Sequence, residues 1–129
     1  MRRAPVLFAL LAFLSAFLSA NASGRNAVIR GWLSDEACAT GRSHAGIYTG
    51  TNPDCAKKCV HDGKRIVLVD PNNKRLLTVL NGDAATERVG DYVEISGDLD
   101  EQTGTLHIDS LKLLEKGRAK CDVPQKKKT

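Results

Sequence analysis

Three thiols and an imidazole fall within one short stretch of this chain: Cys38, His44, Cys55 and Cys59. A fourth cysteine, Cys121, stands near the C-terminus. Thiolate sulfur and imidazole nitrogen are the donors that suit zinc or Cu(I). Cys55 and Cys59 lie one helical turn apart, so on a helix they share a face and can share one ion. The spacing C-x5-H-x10-C-x3-C is not a usual zinc-finger arrangement. A second chemistry is disulfide formation. A Cys55–Cys59 bridge within one helical turn would strain the helix, which leaves Cys38 to pair with one of them and Cys121 with the other. The spacing does not choose between those pairings. A third is thiol redox chemistry, because Cys55 stands near a helix N-terminus with Lys57 and Lys58 close by. The spacing there is C-x-x-x-C and not C-x-x-C, with no βαβ pattern around it, so redox exchange ranks last. His44 taken alone reads as a solvated loop residue.

The compartment bears on that ranking. Met1-Arg2-Arg3 precedes an almost wholly apolar run over residues 4–20, and Ala20-Asn21-Ala22 is an A-x-A cleavage signature. Residues 1–22 therefore read as a secretory signal peptide, too short to be a spanning helix. The mature chain is expected in the periplasm or secreted, without stable membrane insertion. Its formal charge falls from +4 to +2 as Arg2 and Arg3 leave. Much of the remaining basicity is in a tail, residues 116–129, expected to be flexible and to touch an anionic envelope surface only weakly. In a small exported chain, cysteines read first as staples. One bridge closing a loop of about 15–20 residues adds about 3 kcal/mol in the loop-entropy picture.

The elements that must position these side chains follow from periodicity. Residues 27–34 read as a strand with Ile29 and Leu33 on one face and Val28, Arg30 and Trp32 on the other, and Gly31 suggests a bend or bulge. Residues 35–51 show neither helical nor strand periodicity and are expected to be a structureless loop tied down by cysteines. Asn52-Pro53-Asp54 is a helix start, with a stop at Gly63. Cys55, Ala56, Cys59 and Val60 then form one stripe, which points both helix cysteines at the body of the domain.

Residues 66–69 and 75–80 flank the turn Asp70-Pro71-Asn72-Asn73 as a hairpin. Residues 84–89 allow one helical turn. A second hairpin follows, over residues 92–99 and 105–114. In its last strand Leu106 and Ile108 have one parity and Leu111 and Leu113 the other, so a bulge near Asp109-Ser110 is expected to bring all four to the core. Five short strands with one short helix argue for a small, mainly β barrel or sandwich over residues 23–115.

At this point the chain resembles a family of small exported bacterial proteins with an OB-fold-like domain and no assigned function. The matching residues are Gly31-Trp32-Leu33-Ser34-Asp35 ahead of Cys38, then His44, then Cys55-Ala56-Lys57-Lys58-Cys59-Val60 and Gly63. They continue as Ile66-Val67-Leu68-Val69-Asp70 and Gly90-Asp91-Tyr92-Val93-Glu94-Ile95-Ser96-Gly97. The resemblance covers about residues 28–113, implies the fold, and implies no reaction. The family's three cysteines correspond to Cys38, Cys55 and Cys59, and Cys121 is a departure.

Other functions are poorly supported. His44, His61 and His107 are scattered, and Ser34-Asp35-Glu36 lacks a nucleophile-elbow context. Asp98, Asp100 and Glu101 lack the spacing of a calcium loop and read as a solvated turn. Single-strand nucleic-acid binding needs aromatics along a basic groove, and the central hairpin has none. Trp32 and Tyr92 are the candidate residues of a ligand face. The expected protein is a disulfide-stapled binding or structural module and not an enzyme, with a zinc or copper site at Cys38, His44, Cys55 and Cys59 as the alternative.

Overall fold

Period-two alternation builds the sheet. The computed structural model describes residues 24–118, so the leader read at residues 1–22 and Cys121 lie outside the described residues. The strands are β1 (Arg25–Asp35), β2 (Ile66–Asp70), β3 (Arg75–Val79), β4 (Tyr92–Asp100) and β5 (Thr105–Glu115). They close in the order β1-β2-β3-β5-β4, antiparallel throughout except for the parallel β3–β5 pairing. This is a mainly β, OB-like ring of five strands, in line with the expectation.

Inside it Ile29, Leu33, Leu68, Leu77, Val93, Ile95, Leu99 and Leu106 form the core. Between β3 and β4 the chain makes two short 3-10 turns, Gly82–Ala84 and Thr86–Arg88. No helix among the described residues is long and apolar enough to cross a membrane.

Two glycines within the strands are required by close approach. A Cβ on Gly31 would lie 2.3 Å from the Val69 carbonyl oxygen, so β1 needs glycine where β2 meets it. The β1–β4 ladder runs through Gly31 without interruption, so the anticipated bulge there is absent. The bulge expected near Asp109-Ser110 is present in β5, and a second shift between Tyr92 and Val93 leaves out Leu114. At the first, Ser96 pairs with Ser110 and Gly97 with Ile108, which leaves Asp109 as the extra residue. Gly97 at that point has the His107 carbonyl oxygen 2.0 Å from where its Cβ would be. The expected burial of all four apolar residues is only partly met. Leu106 and Ile108 are buried and Leu111 packs partly on the core, but Leu113 is exposed: it still pairs with Val93 of β4, whereas β3 flanks β5 only at Thr105 and Leu106.

The β1–β2 connection carries two helices where one was expected. Residues 36–44, read as structureless, form α1 (Glu36–His44), and α2 is Pro53–His61. Asp35, the last residue of β1, caps α1 by accepting from the Cys38 backbone N–H at 3.0 Å. Periodicity failed there because Ala39 is the only buried residue of α1. It enters a second small cluster on the outside of the barrel with Val67, Val69, Trp32, Tyr48 and Leu76. For α2 the reading from Asn52-Pro53 holds, with Asn52 accepting from the Cys55 N–H at 3.2 Å.

Candidate metal centre

Both helices begin in the same way, and that places the thiols. Cys38 and Cys55 are each the third residue of their helix, and each gives its backbone N–H to the capping side chain, Asp35 or Asn52. Cys59 follows one turn further along α2. Three contacts anchor the helix starts, one between them and one from each to another part of the fold. Ser34 Oγ and Thr51 Oγ1 are hydrogen-bonded at 3.1 Å. Arg65 donates to both carboxylate oxygens of Glu36, at 2.9 and 2.5 Å. Gly90 packs so closely on Pro53 that a Cβ there would lie 2.6 Å from the proline Cβ.

The result is that the sulfurs of Cys38, Cys55 and Cys59 all lie within 4.8 Å of one another. The Cys38 and Cys55 sulfurs are 3.6 Å apart. An S–S bond needs about 2.05 Å, so these three are free thiols. Sulfurs bound tetrahedrally to zinc at about 2.3 Å are about 3.8 Å from each other, close to the spacing found.

The expected stripe on α2 needs correcting. Pro53 and Ala56 are the residues that α2 buries, while Cys59 is half-buried and Cys55 exposed. The cysteines occupy the flank that faces α1, not the face that meets the barrel. His44 also departs from the alternative ligand set. It ends α1 and is exposed, and its ring is not among the gathered ligand atoms. Six residues beyond Cys38, it is displaced about 9 Å along the helix axis.

One residue of the site escaped the sequence reading. Asp35 is fully buried, and its Oδ1 has no hydrogen-bond partner, the only such buried side-chain oxygen or nitrogen among the described residues. Its place just before an acidic first turn and three residues ahead of Cys38 was the available sign. Burial pushes the Cys38 thiol well above its ordinary value, and the Asp35 carboxylate that it faces and the Cys55 thiol push it the same way. Cys59 is raised for the same reasons: burial first, then the charge of Asp35 and its neighbour Cys55. Cys38 and Cys59 therefore keep their protons until a cation replaces them.

Trp32 and Tyr92 do meet. They are cross-strand partners with ring centroids 5.1 Å apart, tilted by 45°. Trp32 also lines a cleft of about 190 Å³ with Thr49, Gly50, Thr51, Glu115 and Arg118. Of the acids in the β4–β5 turn, Asp100 is used within the turn and Glu101 reaches neighbouring strands. Asp100 accepts from the N–H groups of Gln102 and Thr103, and Glu101 pairs with Arg25 and Arg75.

No protein-family model, curated protein or solved structure matches this chain. What the centre can do follows from its own donors.

Proposed function

We propose that the chain is a small exported metal-binding module that holds one thiophilic ion, zinc or copper, through Cys38, Cys55 and Cys59. The observation that carries this reading is the gathering of three sulfurs from two separately capped helices to within 4.8 Å of one another. Three soft donors at that spacing are a ligand set for zinc or Cu(I). The raised thiols add a direction: uptake of the ion releases protons, so binding tightens as pH rises. Native mass spectrometry of the reduced chain with Zn2+ or Cu(I) is expected to show one ion per chain. Cys38→Ser, Cys55→Ser and Cys59→Ser should each weaken it. Absence of any ion above background at micromolar metal would sink the reading.

The 3.6 Å approach of Cys38 and Cys55 favours a second reading, a stapled binding or structural module. With the metal lost in an oxidising compartment, these two thiols are the pair best placed to bridge. Alkylation under denaturing conditions without reductant separates the two. Three or four labelled thiols with bound metal support the first reading, and protected cysteines without metal support the second. In that case ligand binding falls to Trp32, Tyr92 and the barrel face.

A further inference from the structure

Resting on the metal-centre reading, we infer that Asp35 supplies the fourth donor and that the centre is consequently built for a tetrahedral divalent ion such as Zn2+ in preference to Cu(I). Three thiolates alone satisfy a trigonal Cu(I) ion, whereas structural zinc takes four ligands and accepts a carboxylate oxygen among them. Among the described residues the three sulfurs alone gather within 4.8 Å of one another. Neither an imidazole nor a carboxylate oxygen is in that group, so a fourth donor has to close on the ion as it binds. Asp35 is the carboxylate at hand: it caps the helix that carries Cys38, and its charge raises both Cys38 and Cys59. One oxygen is committed to the Cys38 backbone N–H at 3.0 Å. The other, Oδ1, is buried without a partner.

A buried carboxylate oxygen with nothing bonded to it is costly, and a cation relieves that cost more directly than any change of packing. The charges agree. Three thiolates and a carboxylate carry four negative charges, and a divalent ion offsets twice what Cu(I) does. The cap is also what brings the carboxylate to the site. Asp35 is both the end of β1 and the N-cap of α1, so the same residue that starts the helix bearing Cys38 stands at the centre's inner wall.

The test is a chelator-competition titration of the purified, reduced chain with Zn2+ and, separately, with Cu(I). Wild type is compared with Asp35→Asn and Asp35→Ser. Asparagine and serine cap helices as well as aspartate does, so α1 is retained, and circular dichroism checks this. The expected result is a loss of Zn2+ affinity of at least about 10-fold in both variants, with Cu(I) affinity unchanged. Cobalt(II) bound in place of zinc should show altered ligand-field bands in Asp35→Asn and wild-type bands in Cys121→Ser.

Wild-type zinc affinity in Asp35→Asn would overturn the assignment. So would an equal loss of both ions, which would make Asp35 only a cap, or altered bands in Cys121→Ser, which would make Cys121 the fourth donor. Failure of the centre itself looks different: wild type then binds neither ion, or Cys38→Ser binds as wild type does.

Discussion

Asp70 shows what a buried carboxylate looks like when the fold alone satisfies it. It is 1% exposed and accepts from the Asn72 and Asn73 N–H groups, from the Asn73 amide and from Arg75 Nε at 2.9 Å. Burial pushes its carboxyl up, but the bonds from Asn73 and Arg75 outweigh that and hold it below the ordinary value. The turn was legible from Asp-Pro-Asn-Asn, whereas the partner Arg75 was not, because it comes from the returning strand. Asp70→Ala is expected to cost about 2–3 kcal/mol in urea unfolding, since it removes charge-assisted bonds in a half-dry turn. The pH dependence follows from the lowered value. Asp70's contribution is complete above the unfolded carboxyl value, about 3.9, and is lost as pH falls through the lower folded value. The stability gap between wild type and Asp70→Asn should therefore narrow only in that acidic window. A gap that stays constant from neutral pH to below it would mean the carboxylate's charge is not what stabilises the turn. Asp35 lies at the other end of the same paired strands with one oxygen unanswered. That contrast is what marks it as a site residue and not as another turn cap.

Helices α1 and α2 differ in how far the sequence announces them, and the reason is where each finds its stability. Asn52-Pro53 fixes the start of α2 locally, through a side-chain cap and a preset φ. By contrast α1 has a glycine inside it, Gly41, and buries only Ala39. It is held by tertiary bonds, including the Glu36 N–H to the Arg65 carbonyl at 2.9 Å, whose partner comes nearly thirty residues later. A local pattern cannot contain that. The Asp109 bulge was legible from the change of parity in β5, but the parity says nothing about where β3 stops covering β5, so Leu113 was misplaced. The small contact at Ala39, which is 2% exposed, sets how α1 lies on the sheet. Ala39→Leu should lift it, at a cost of about 1–3 kcal/mol from overpacking. Trp32, the only tryptophan, belongs to the same outer cluster and reports on it directly. A shift of its emission together with weaker metal binding is expected. Unchanged emission and unchanged affinity would show that Cys38 is not positioned through this contact.

The whole molecule divides into a ring that closes on itself and a helical strap laid against its outer face. The ring's closure depends on β3 running parallel to β5, through Thr78–Thr105 and Val79–Leu106. Nothing in strand periodicity specifies that pairing, and local patterns reach no further than the two hairpins. The core inside is continuous around the ring and takes only Ala56, and part of Val60, from the strap. Most of what holds the strap is the outer cluster, the Ser34–Thr51 and Glu36–Arg65 links, and the Pro53–Gly90 contact. A metal joining Cys38 of α1 to Cys55 and Cys59 of α2 would tie that strap together. At free ion 100-fold above its dissociation constant, the gain is about 2.7 kcal/mol. The stabilisation should be local to the strap, since the ring already has its core. Hydrogen exchange of the reduced chain with and without Zn2+ is expected to slow at the amides of α1 and α2 and to change little in β1, β4 and β5. Equal protection everywhere would mean that strap and ring open as one unit. No change anywhere would mean that the ion does not bridge the helices, and the three thiols would then hold the metal without fastening the fold.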